Sequence, residues 1–339
     1  MMALSRRRKV LYGLITVALV SGVGVLLLVA ADVYVHWRTQ DLAGVNVWGY
    51  RGAPIGGKPS GEIRVVMLGG STVFGWGLPS HESIPAFLER RLNAAASGRR
   101  YSVVNLGAPG QGAYGFRVEL ADFEYLDYDI VILYEGYNDL KSITPRGQNN
   151  YLLWRRESPI YRWTGYYPIL PVVLGEKSQV LLTGSPGPGD RVRFEPGLAT
   201  RAAAGAMRAA AALTSELGGR PGGLTPAPAV VPGDDQCTDT WKRYCGSVRE
   251  AIEWALARNK PVIVTGQPYL SDEHVAQQAN LAAMLRARLG ADGRVRYIDL
   301  GHTVDMRDRS IAYDGVHLVA SGNDLIASHL VSPVQEISR

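Results

Sequence analysis

From residue 63 onward, short apolar runs rich in β-branched residues alternate with longer stretches of helical pattern. The runs at 63–68, 101–106, 130–134, 261–265 and 295–300 predict strands. The stretches near 81–96, 113–126, 200–217, 239–258, 273–289 and 318–330 predict helices. A strand apolar on consecutive residues, instead of alternate ones, is buried on both faces. Five such strands separated by helices predict an α/β fold with a doubly wound, parallel five-stranded sheet. Ligands of such sheets bind beyond the carboxyl ends of the strands, so chemistry is sought in the loops that follow each strand.

Two segments break the rhythm. Residues 10–31 carry no charge, and as a helix they span roughly 33 Å against a hydrocarbon core of about 30 Å. Arg6, Arg7, Arg8 and Lys9 precede this stretch, and Tyr34 and Trp37 follow it where interfacial aromatics belong. One transmembrane helix is expected, with a cytoplasmic N-terminus and everything beyond it extracytoplasmic, in the periplasm or at the cell surface. Val29-Ala30-Ala31 is also a tolerable cleavage site, but secretory apolar cores run only about 7–15 residues, which favours a retained anchor.

The second break runs from about 140 to 238 and is expected to be an insertion in the core fold. Tyr151, Trp154, Tyr161, Trp163, Tyr166 and Tyr167 crowd its first part, where they suit core packing, sugar stacking or an interfacial belt. An alanine-rich helical stretch and a Pro/Gly-rich run follow, the latter expected as a flexible loop at 219–236. The expected organisation is a basic tail at 1–9, an anchor at 10–31, a linker at 32–60 and one domain at 61–339.

Charge changes this picture little. The net charge of +5 is mostly the cluster at 6–9, and the rest of the chain balances 32 basic against 31 acidic residues. No nucleic-acid partner is expected, because that would need a basic face on the folded domain. Cys237 and Cys245 lie eight apart in a polar stretch, in a compartment where disulfides persist. Both could not bond within one helix, so a bridge requires a turn or a helix end between them. No second Cys/His pair has zinc-ligand spacing, and neither metal nor organic cofactor is expected.

The first strand runs into V-M-L-G-G-S-T-V-F-G-W-G, which puts Ser71 just beyond its end. A phosphate loop would need a lysine after the glycines, and a dinucleotide loop would need different glycine spacing. A sharp turn that exposes a serine needs only small neighbours and a helix start. The second strand ends in N-L-G-A-P-G-Q-G, offering Gly107 as a backbone donor with Gly110 and Gly112 as competitors. The third ends in Y-E-G-Y-N-D, which places Asn138 at its edge; Asp139 is expected as structural support. Before the last helix stands Y-D-G-V-H-L, with Asp314 three residues ahead of His317. Asp299 and His302 repeat that spacing after the fifth strand, without the same sequence context.

This constellation resembles the SGNH, or GDSL-type, hydrolase family, whose four motif blocks occur here in order over residues 64–330. The resemblance implies a flavodoxin-like fold with Ser71 as nucleophile and Asp314 and His317 completing a triad. It also implies an oxyanion hole from the Ser71 and Gly107 amides and the Asn138 side chain. Gly70 departs from the family, which has an aspartate there that supports the turn. The Gly-Gly-Ser-Thr variant is similar to that of membrane-anchored, extracytoplasmic members. The expected function is a serine esterase removing acetyl or short acyl groups from an envelope carbohydrate. An O-acetyltransferase using the same serine is the alternative, and a silent glycan-binding scaffold with envelope-complex partners is another.

Overall fold

The computed structural model describes residues 5–41, 44–95, 98–134, 136–140, 155, 158–183, 237–308 and 310–339. The helix expected near 200–217, the loop at 219–236, and Tyr151 and Trp154 lie outside the described residues. The helices are α1 (Arg6–Thr39), α2 (Ser71–Phe74), α3 (Ile84–Ala95), α4 (Phe116–Asp122), α5 (Pro159–Thr164), α6 (Leu170–Thr183), α7 (Lys242–Leu256), α8 (Asp272–Leu289) and α9 (Ala320–Ile337). The strands are β1 (Glu62–Gly69), β2 (Arg100–Gly107), β3 (Ile130–Tyr134), β4 (Val262–Thr265) and β5 (Val295–Ile298).

The chain forms two units, Met1–Val35 with Pro168–Pro228 and His36–Tyr167 with Ala229–Arg339. In the first, the apolar side chains of α1 are exposed along its length, Leu26 to 70%. One helix, α1, is long and apolar enough to cross a membrane among the described residues. It runs on to Thr39 because no glycine or proline follows residue 31 until Gly44. Asp32, near the end of the apolar stretch, accepts the Leu170 N–H that opens α6, at 2.5 Å.

The second unit holds the sheet. Its order is β2-β1-β3-β4-β5, and every pairing is parallel. Alternate residues of each strand serve opposite faces. Val66, Leu68, Val131 and Leu133 pack with α4, α7 and α8 residues, whereas Val65, Met67, Ile130 and Ile132 pack with α3 and α9 residues. Both faces are therefore buried, which is why the strands read as continuous apolar runs. The helix expected over 113–126 is divided: a 3-10 turn at Ala113–Gly115, then α4, then a second 3-10 turn at Glu124–Leu126.

Strand order reverses direction between β1 and β3, so the segments that leave their carboxyl ends diverge and a crevice lies between them. Ser71 follows β1 and Asn138 follows β3, one on each side of that crevice.

Cys237 and Cys245 are joined by a disulfide between the turn that precedes α7 and the first part of that helix. Its short loop restricts the unfolded chain, so replacing both cysteines by serine is expected to cost on the order of 2–3 kcal/mol. Denaturant unfolding of the two proteins measures this; equal midpoints would leave the bridge without a stabilising role.

Candidate active site

The site is built at the carboxyl edge of the sheet. β1 ends at Gly69, and Gly70 continues in extended backbone (φ −82°, ψ −150°) that any residue adopts. Ser71 opens the single turn α2, so its N–H falls among the first-turn amides that a helix leaves without an internal acceptor. Behind this turn lies the buried Arg51 guanidinium, 4.5 Å from the centre of the Phe74 ring. It donates to the carbonyls of Gln40, Gly44 and Leu78. Burial lowers its pKa to about 10.

His317 reaches Ser71 from the loop before α9. Its Nε2 lies 2.7 Å from Ser71 Oγ, and its Nδ1 lies 2.6 Å from Asp314 Oδ2. The carboxylate can only accept, so it calls for a proton on Nδ1 and leaves Nε2 to accept from the serine hydroxyl. Asp314 Oδ1 accepts the amides of Val316 and His317 at 2.9 and 2.7 Å. Burial pushes the Asp314 carboxyl up, but these bonds outweigh it and hold the group below the usual carboxylate range. Tyr313 stacks on the His317 ring, with centroids 6.0 Å apart, and donates its hydroxyl to Trp76 O at 2.9 Å. That bond ties the histidine loop to the turn after α2. The rival pair is not assembled: Asp299 accepts from Gly301 N and Tyr269 OH, and His302 packs against the Tyr269 ring.

On the other side, the Asn138 amide donates to Gln111 O at 2.9 Å. Gly107 requires a correction. Its N–H donates to Asn105 Oδ1 at 2.9 Å, so the amide expected to face an oxyanion is already engaged inside the fold. Glycine is required there for another reason: a β-carbon would overlap Val73 and the Phe74 amide, where α2 rests on β2. Of its competitors, Gly112 is pressed against Asp139, where a β-carbon would lie 2.7 Å from Oδ1. Gly110 is exposed at φ +73°, and its N–H has no partner among the described residues.

Sequence reasoning missed the support beneath Asn138. Gln111 is fully buried and donates to Glu119 Oε2 at 2.8 Å, and Arg155 donates to Glu119 Oε1 at 2.6 Å. A buried ion pair thus holds the residue whose carbonyl holds Asn138. Nothing in the spacing of positions 111, 119 and 155 announces this, since the last comes from the insertion.

Asp139 accepts the Ala113 N–H at 2.9 Å, and burial pushes its carboxyl up to about 7. Because the folded value is raised, the stability it contributes is fully present below about pH 4 and is lost as pH rises through about 7. Asp139→Asn keeps the acceptor and removes the titration. Between about pH 5 and 8 the wild-type Tm is expected to fall relative to that of the variant. Parallel Tm curves would show that Asp139 does not change its charge there.

Among the described residues, no group of three or more His, Cys, Asp or Glu side chains is placed to hold a metal ion. A five-stranded parallel sheet, with serine, histidine and aspartate joined at its carboxyl edge, has the architecture of the SGNH hydrolase fold. The GDSL-like Lipase/Acylhydrolase family model matches residues 67–325, well over half the chain. The chain belongs to this family and is an ester-hydrolysing enzyme.

No curated sequence matches the chain. Among solved structures, it is similar to the Clostridium thermocellum family 3 carbohydrate esterase at 12% identity and a TM-score of 0.43, covering 82% of this chain and 98% of that one. It is similar to LAE5, an alpha/beta hydrolase enzyme from the metagenome of Lake Arreo, at 14% identity and a TM-score of 0.45, covering 81% and 96%. The psychrotrophic esterase EstA from Pseudoalteromonas sp. is similar at 10% identity and a TM-score of 0.42, covering 80% and 97%.

Proposed function

We propose that this protein is a membrane-anchored, extracytoplasmic serine esterase that removes acetyl or other short acyl groups from an envelope carbohydrate. The observation that carries it is the continuous chain from Ser71 Oγ through His317 to Asp314, with bonds of 2.7 and 2.6 Å. His317 Nε2 takes the Ser71 proton as Oγ attacks the ester carbonyl, and the imidazolium is held by Asp314. The tetrahedral intermediate collapses with the proton passing from Nε2 to the leaving alcohol, which leaves an acyl-serine. Water then repeats the sequence, giving the free acid and restoring the serine. The oxyanion is met by the Asn138 amide and by the Ser71 and Gly110 N–H groups. Gly110 takes the place first expected of Gly107, because its amide is open and its neighbour Gln111 holds Asn138.

The anchor is supported by the exposed apolar length of α1 and by the basic residues at its start. The carbohydrate substrate is supported by that placement. The test uses the full chain in detergent with a fluorophosphonate probe, p-nitrophenyl acetate and acetylated oligosaccharides. Labelling with release of free acetate supports the proposal. Transfer of acetyl to an added oligosaccharide, with little free acetate, would make the protein a transferase. Absence of both labelling and turnover would overturn it. A mature N-terminus at residue 32 would overturn the retained anchor.

A further inference from the structure

A cavity of about 640 Å³ opens beside the catalytic loop, between the start of α8 and the turn at 301–307, and one of its walls is Gly315. We propose that this cavity is the subsite for the carbohydrate leaving group, with Tyr269 and Asp272 as its specificity-determining residues. The proposal rests on the esterase function above and names where its substrate sits.

Its position follows from proton transfer. The leaving alcohol takes its proton from His317 Nε2, so that part of the ester lies on the histidine side of the site. Gly315 stands between Asp314 and His317, which puts the cavity next to that loop. The remaining walls come from the 269–275 and 301–307 segments, with none from the 107–113 or 136–140 segments that carry the oxyanion donors. The volume lies within the range of small-ligand sites, about 300–1,000 Å³, and exceeds what an acetyl group needs.

The lining is amphiphilic. Tyr269 is a fixed aromatic platform: its N–H donates to Gly301 O at 2.8 Å and its hydroxyl to Asp299 Oδ2 at 3.2 Å. The ring lies so close to Gly301 that a β-carbon there would overlap it. The His302 and His274 rings pack roughly perpendicular to it, with centroids 5.0 and 5.9 Å away. A rigid aromatic surface binds with little loss of side-chain freedom. Val304 and Met306 add buried apolar surface. At the rim, Asp272 is exposed and its carboxylate has no partner among the described residues, whereas Asp305 is paired with Arg307 at 2.9 Å.

A sugar ring matches this arrangement, since its C–H face suits the Tyr269 ring and its hydroxyls can donate to Asp272. An acyl chain would desolvate the Asp272 carboxylate without returning a hydrogen bond. An anionic ligand would meet two carboxylates and one arginine that is already paired.

The test compares an acetylated oligosaccharide with ethyl acetate, whose alcohol is too small to fill the cavity, using the full chain in detergent. Tyr269→Ala and Asp272→Ala are each expected to lower the ratio of kcat/KM, oligosaccharide over ethyl acetate, about tenfold, mainly through KM. Asp272 is exposed, so its variant tests the proposal even if Tyr269→Ala fails to fold. An unchanged ratio in the Asp272 variant would overturn the proposal. So would a wild-type enzyme that turns over ethyl acetate but no acetylated oligosaccharide, although the esterase function would then stand. If wild type cleaves neither ester, calorimetric titration with the deacetylated oligosaccharide separates the two ideas. Binding weakened by Asp272→Ala would keep the glycan site while the esterase function falls, and no binding would overturn both.

Discussion

Ser71→Ala is expected to abolish fluorophosphonate labelling and to lower kcat by roughly 10⁴–10⁶-fold, with the fold intact. The effect is large because Oγ is the only atom placed both at the sheet edge and 2.7 Å from His317 Nε2 among the described residues. The fold survives because α2 is held by other contacts, among them the bond from Asn105 Nδ2 to Val73 O at 2.9 Å and the Phe74 ring on Arg51. His317→Ala alone should come close to the same loss of turnover, since without its base the serine hydroxyl is a weak nucleophile. The double variant should then lose little more, because residues acting as one unit are not additive. Initial rates with p-nitrophenyl acetate and an unfolding curve for each variant measure this. Retained turnover in Ser71→Ala would remove serine from the mechanism.

Asn138→Ala is expected to lower kcat by about 10²–10³-fold while KM changes little, a loss of roughly 3–4 kcal/mol in transition-state stabilisation. The donor matters more in the transition state because charge gathers on the carbonyl oxygen only as Oγ bonds to carbon. Labelling by fluorophosphonate should slow in parallel, since charge also gathers on its phosphoryl oxygen as Oγ attacks phosphorus and fluoride leaves. The side chain further holds Gln111 O, so part of the loss will come from a looser 111–112 peptide. A variant that shifts only KM, or loses less than about fivefold in kcat, would show that Asn138 is not an oxyanion donor.

The sheet was legible because its information is local. β1 and β3 are apolar at consecutive positions, as strands covered on both faces must be, whereas the order of the strands came only from the fold. Asp314 and His317 were legible together because three residues of chain already bring their side chains near each other. α4 was harder to place, since the 3-10 turns on either side of it carry the same apolar pattern at a different pitch.

Gly107 shows how a short-range side-chain bond escapes a motif reading. Its position in N-L-G suggested an open amide, and only the folded chain shows Asn105, two residues back, turning its side chain to that N–H. Arg155 and Glu119 are likewise silent in sequence, because 36 residues separate two charges that meet in the core, one of them in the insertion.

The sequence by itself determined the α/β class, the apolar helix at the N-terminus, and which loops carry serine, asparagine and the Asp-x-x-His pair. These rest on periodicity and short spacing, which neighbours along the chain decide. Tertiary structure decided which histidine meets Ser71 across 246 residues and how strongly Asp139 holds its proton. It also decided that Tyr269, Asp272 and Gly315 wall one cavity. Each of these depends on burial and on approach between distant segments, and both exist only once the sheet has gathered its loops at one edge.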